Sequence, residues 1–145
     1  MIPQHIAFYG LLNPGHGPFE KFRLGEALEL VGPCRIPGRL HDLGAYPALK
    51  RRPGVAEGRI YRIRDPKVLK RLDGFEAYWP RRPKQSEYLR RPVLLTEPAV
   101  WTWVYVYNRR PPAGSLVPEG PWTPRGLSGD VESRRRIKAA AKERR

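Results

Sequence analysis

The 145 residues are 40% hydrophobic and 10% aromatic, which excludes a disordered chain and suits one folded domain. Lys and Arg number 28 against 14 Asp and Glu, and the resulting +14 attracts polyanions over about 8 Å at physiological salt. No apolar run approaches the roughly 18 residues that span a bilayer, no secretion signal is visible, and one cysteine, Cys34, excludes an internal disulfide. A reducing, cytoplasmic compartment is therefore expected.

The first element is a short buried strand over Ile6, Ala7, Phe8 and Tyr9, followed by a glycine- and proline-rich turn from Gly10 to Gly17. A helix is expected over residues 19–30, stopped by Gly32-Pro33. Cys34, Ile36 and Leu40 alternate as a strand would, and residues 41–49 read as an ordered loop packed through Leu43 and Tyr46. Lys50-Arg51-Arg52-Pro53-Gly54 reads as a solvated turn before a second strand region over residues 55–63.

Asp65-Pro66 is a strong helix start, with an acceptor side chain followed by proline. Val68, Leu72 and Phe75 then fall on one face, and Glu76 emerges where that helix ends. Residues 87–95 and 100–107 form a hairpin whose second strand is apolar or aromatic on both faces. Both faces must be covered, so the expected fold is α+β: a small mixed β-barrel with a few flanking helices. The domain is expected to run over residues 1–124. Residues 125–145 form a basic tail of net +5 with a marginal helix.

Three segments carry a family pattern in order: Phe8-Tyr9-Gly10-Leu11-Leu12, Leu72-Asp73-Gly74-Phe75-Glu76, and Tyr88-Leu89-Arg90 followed by Val93. Together they resemble the gamma-glutamylcyclotransferase-like family, especially its small gamma-glutamylamine branch, over roughly residues 6–108. The resemblance implies cleavage of a gamma-glutamyl amide to 5-oxoproline and an amine by intramolecular aminolysis, with no metal and no organic cofactor. It places the acid/base at Glu76 and substrate contacts at Tyr9, Gly10, Leu11, Leu12, Tyr88 and Arg90. Leu11 departs from the pattern by standing where a small hydroxyl residue is common.

Read without the family, the same residues have plainer roles. Glu76 is a solvated helix end, Tyr9 an ordinary strand aromatic, Tyr88 a cross-strand packing partner, and Arg90 half of a structural ion pair. His5, His16 and His41 lack metal-ligand spacing, and no serine has a nucleophile-elbow context. A rival function is a catalytically idle barrel that binds RNA or another polyanion. The residues between Arg81 and Arg91 (net +4) and between Arg125 and Arg145 would supply the charge, with Trp79 and Tyr88 to stack bases. A third reading is a biosynthetic cyclotransferase acting on a gamma-glutamylated metabolite.

Overall fold

Residues 34–40 set the pattern of one of the two long strands, because Cys34, Ile36, Gly38 and Leu40 turn inward at every second position while Arg35 stays exposed. The computed structural model describes residues 2–10, 23–44 and 46–118. In chain order the elements are β1 (His5–Phe8), α1 (Leu24–Ala27), β2 (Leu28–Asp42), β3 (Pro47–Ile63), α2 (Val68–Phe75), β4 (Tyr88–Leu94) and β5 (Trp101–Tyr107). A 3₁₀ turn over Pro83–Gln85 precedes β4.

The strands form one mixed five-stranded sheet in the order β2-β3-β1-β5-β4. β1 runs antiparallel to β3 and parallel to β5, and the other neighbours are antiparallel. The expected α+β class and the β4–β5 hairpin are present. The closed barrel is not: β2 and β4 are the two ends of the sheet and do not pair. A single bridge ties β2 to the β4–β5 turn, with Arg35 N–H donating to the Glu97 carbonyl at 2.7 Å and Thr96 N–H to the Arg35 carbonyl at 3.0 Å.

Two local expectations yield to strand pairing. The helix expected over residues 19–30 is, among the described residues, one turn over Leu24–Ala27. Leu28 already pairs with Ile63, and Glu29 reaches Arg62 at 2.9 Å and Arg64 at 2.7 Å across the ladder. Gly32-Pro33 sits inside β2 beside a register shift instead of ending a helix. The expected turn over residues 50–54 is likewise part of β3, with its irregularity between Pro37 and Arg39 on the partner strand. Pro33 and Pro37 are tolerated because β2 is an edge strand, and bulges absorb the extra residues. Residues 11–22 and the tail, including the boundary at residue 124, lie outside the described residues.

α2 starts two residues past the expected Asp65-Pro66 signal, with Lys67 at its N-cap and no side-chain cap bond, and Asp65 sets the turn that leads in. Asp65 accepts the Lys67 N–H on Oδ1 at 3.0 Å, and its carbonyl accepts the Val68 N–H at 3.1 Å. Val68, Leu72 and Phe75 are buried against the sheet. The end is a Schellman arrangement: Tyr78 N–H donates to the Asp73 carbonyl at 2.9 Å and Ala77 N–H to the Gly74 carbonyl at 3.2 Å. Ala77 holds the left-handed position, φ 53°, that glycine usually fills. Glu76 is thereby fixed as the C-cap, with its N–H on the Leu72 carbonyl at 2.9 Å.

Both helix ends are open to test by urea unfolding. Asp65→Ala is expected to cost about 1 kcal/mol through the lost acceptor. Ala77→Val places a β-branched residue in a left-handed conformation and is expected to cost at least about 2 kcal/mol.

Candidate active site

Asp73 and Glu76 are three residues apart at the end of α2, so they share a face of the helix, and both are 8% exposed. A buried carboxylate needs a partner. Asp73 has three contacts: Arg90 Nε at 2.8 Å, Arg90 Nη2 at 3.1 Å, and the Tyr105 hydroxyl at 2.7 Å. The guanidinium of Arg90 in turn lies 4.3 Å from the centre of the Trp103 ring. β4 and β5 place Arg90 opposite Tyr105, so one cross-strand pair grips Asp73 from two sides.

Three phenols feel the charge of Glu76. Its charge opposes ionisation of Tyr9, Tyr88 and Tyr105, which puts it within electrostatic reach of all three. Burial is the first cause in each case and pushes these phenols well above their ordinary range. For Tyr105 the Asp73 carboxylate comes next; for Tyr9 it is Glu76. All three therefore stay neutral.

Their protons are already engaged. Tyr9 donates to the Tyr105 carbonyl and accepts the Leu49 N–H at 3.4 Å. Tyr88 donates to the Pro47 carbonyl at 2.7 Å, and its ring packs on Tyr46 and Tyr107. Tyr46 donates to Glu87 Oε2 at 2.8 Å, which adds a second buried carboxylate near Tyr9 and Tyr88. Gly10 packs so closely on Pro47 that an added Cβ would come within 2.7 Å of its Cγ.

The structure thus brings Tyr9, Glu76, Tyr88 and Arg90 into one neighbourhood. It gives Arg90 the structural ion pair and Tyr88 the packing role that the plainer readings expect. Glu76 is buried, not the solvated helix end of its own plainer reading. Leu11 and Leu12 lie outside the described residues. Asp73 and Tyr105 were missed as members of the site. The signal for Asp73 was available, since an acid three residues before Glu76 on a helix must share its surroundings. Tyr105 was legible only as one of several strand aromatics.

A cleft of about 520 Å³ opens beside Tyr9 and Gly10, between β2, β3 and the β4–β5 turn. Glu76 is not part of its lining. Cys34 at its wall has a thiol pushed up to about 12 by burial and so is not a nucleophile at neutral pH. Among the described residues no group of three His, Cys, Asp or Glu side chains is placed to hold a metal, and no helix is long and apolar enough to cross a membrane.

The model of the gamma-glutamyl cyclotransferase, AIG2-like family matches residues 6–124. The chain belongs to this family. The gamma-glutamylcyclotransferase family protein YtfP of Escherichia coli (strain K12) is 33% identical over 98 residues, covering 67% of this chain and 79% of that protein. Its counterpart in Citrobacter rodentium is 33% identical over 121 residues, covering 83% and 96%. The solution structure of Escherichia coli ytfP superposes with a TM-score of 0.59 at 29% identity, covering 81% of this chain and 95% of that one. An AIG2-like protein from Mus musculus shares the fold, with a TM-score of 0.56 at 23% identity over 88% of this chain and all of that one (100%).

Membership in a cyclotransferase family supports a cyclotransferase-type function and lends nothing to the polyanion reading. The basic loop also offers less than its charge promised. Arg81, Arg82, Lys84 and Arg91 are exposed, but Arg90 is engaged by Asp73 and Tyr88 is too buried to stack a base. Ser86 pins that loop by accepting the Trp79 N–H at 2.8 Å.

Two outcomes follow from this cluster. Asp73→Ala would leave the Arg90 charge half-buried and unmatched, and is expected to cost about 3 kcal/mol in thermal unfolding. The raised phenols predict the alkaline limit. A phenol whose folded value lies above its unfolded value, near about 10, contributes stability below that pH and loses it as pH rises through the folded value. The urea midpoint is therefore expected to hold through neutral pH and fall above about pH 10, together with the rise of tyrosinate absorbance.

Proposed function

We propose that the protein is a gamma-glutamyl cyclotransferase that releases 5-oxoproline and a free amine from a gamma-glutamyl amide, with Glu76 as its acid/base. The observation that carries this reading is the placement of Glu76. It is a buried carboxylate fixed at a helix cap, within electrostatic reach of the neutral phenols of Tyr9 and Tyr88.

The chemistry needs one proton moved twice. The substrate's α-amine attacks its own γ-carbonyl, a carbon–nitrogen bond forms, and the amine must shed a proton. Glu76 takes that proton and returns it to the leaving nitrogen as the original amide bond breaks, so the enzyme ends unchanged. The oxyanion that forms between these steps needs N–H donors, and the backbone from Gly10 through Leu11 and Leu12 is proposed to supply them. Tyr9 supports this role by anchoring the loop to β5 and β3 through its hydroxyl. Because the phenolic protons of Tyr9 and Tyr88 are held by carbonyls, we assign these side chains to shaping the site. Arg90 acts through Asp73 by fixing α2. Holding amine and carbonyl in contact supplies much of the remaining rate, on the order of several kcal/mol.

The test is 5-oxoproline release from gamma-glutamyl amines, gamma-glutamyl amino acids and glutathione. Glu76→Gln keeps the size of the side chain and loses its proton relay, so it is expected to fold normally and turn over at least about 100-fold more slowly. Equal rates in the two proteins would remove Glu76 from the mechanism.

A further inference from the structure

Arg39, His41 and Lys50 share one face of the β2–β3 hairpin, and Arg52, in the unpaired stretch after Lys50, lies close enough to act on the charges of both His41 and Lys50. The register sets Arg39 opposite Lys50 and His41 opposite Ala48, and in an antiparallel ladder opposite and alternate residues share a face. The reverse face at this level carries Leu40 and Leu49, which belong to the core.

The segment after β5 runs along this hairpin and holds the basic heads through neutral groups. Arg39 Nη2 donates to the Val117 carbonyl at 3.2 Å. Lys50 Nζ donates to the carbonyls of Tyr107 at 3.1 Å and Arg109 at 3.2 Å. The Ser115 hydroxyl donates to the Pro112 carbonyl, so at 2.9 Å it accepts the Nδ1–H of His41. The stem of Arg39 lies across Gly54, φ +142°, where any Cβ would overlap it.

Among the described residues these heads are held by hydrogen bonds to neutral groups and not by ion pairs. None of the ion pairs among the described residues includes Arg39, Lys50 or Arg52. His41 is 5% exposed, and its Nε2 has no hydrogen-bond partner among the described residues. Burial holds its protonation down, and Arg52, Lys50 and Arg39 add to the effect. Lys50 is lowered by burial and then by Arg52. The covering segment brings further cations, Arg109 and Arg110, while Asp42 beside His41 gives Oδ1 to the Gly44 N–H. Fixed like charges of this kind favour a multiply charged anion over a single carboxylate.

We propose that this face binds a small phosphate-type oxyanion, either inorganic phosphate or the phosphate group of an ester. Arg39, Lys50 and Arg52 are its cationic contacts, and His41 takes up a proton on Nε2 as the anion binds. The site uses no residue of the Glu76 cluster and stands independently of the cyclotransferase reading.

The test is calorimetric titration of the full chain with sodium phosphate at constant ionic strength, beside nuclear magnetic resonance titration of the His41 ring. Arg52 is exposed and makes no hydrogen bond among the described residues, so Arg52→Ala keeps the fold. It is expected to weaken phosphate binding about tenfold, while Lys67→Ala, at an exposed residue beyond the opposite, Leu28–Ile63 end of the β2–β3 ladder, leaves it unchanged. Phosphate is expected to move the His41 titration to higher pH in the wild type and not in Arg52→Ala. No saturable binding, equal weakening by the two variants, or an unmoved His41 titration would each overturn the site.

Discussion

The two-pronged contact of Arg90 with Asp73 joins the helix that carries Glu76 to the β4–β5 hairpin. α2 has only two turns and ends in a left-handed alanine, so its own hydrogen bonds could not aim a terminal side chain with much precision. The ion pair supplies that precision from outside. It is shielded by Trp103 and completed by the Tyr105 hydroxyl, which leaves the Asp73 charge matched before the site receives any ligand. The charge of α2 that acts on Tyr9 and Tyr88 is then that of Glu76.

Neutral phenols around a buried carboxylate make a particular kind of environment. They present polar edges without charge and bind their own protons firmly, so they neither quench the carboxylate by ionic pairing nor compete with it for a proton at neutral pH. Three of the four hydroxyls in the neighbourhood reach a carbonyl or carboxylate at least forty residues away in sequence. The polar cluster is therefore also the point where β1, β3, β4 and the segment before β3 meet.

Much of this was legible in the residues themselves. Trp101 to Tyr107 announces a strand covered on both sides, Asp65-Pro66 announces α2, and the spacing of Val68, Leu72 and Phe75 sets its buried face. The short family segments led to Glu76. What failed were positions where a local signal met a distant partner. Gly32-Pro33 and Pro53-Gly54 are strong turn signals, yet they lie within long strands because a ladder already formed on either side carries them through. Leu28 to Leu30 has helical composition but pairs with residues more than thirty positions away. Closure of the sheet was overestimated for a related reason: apolar faces show that a strand is covered, not what covers it. Here α2, the β4–β5 turn and the segment after β5 do part of what further strands would do in a barrel.

The hydroxyl that anchors the Tyr9 loop finds its carbonyl on Tyr105, 96 residues later. At ribosomal speeds that interval lasts on the order of ten seconds, and during it β1 has no parallel neighbour. Contacts of such long sequence separation form late because the intervening chain must first be ordered. The proposed proton relay cannot be assembled piecemeal on a nascent chain. An incomplete product of translation carries the loop and the glutamate but not the strand that brings them together, so chemistry is withheld until the sheet is whole.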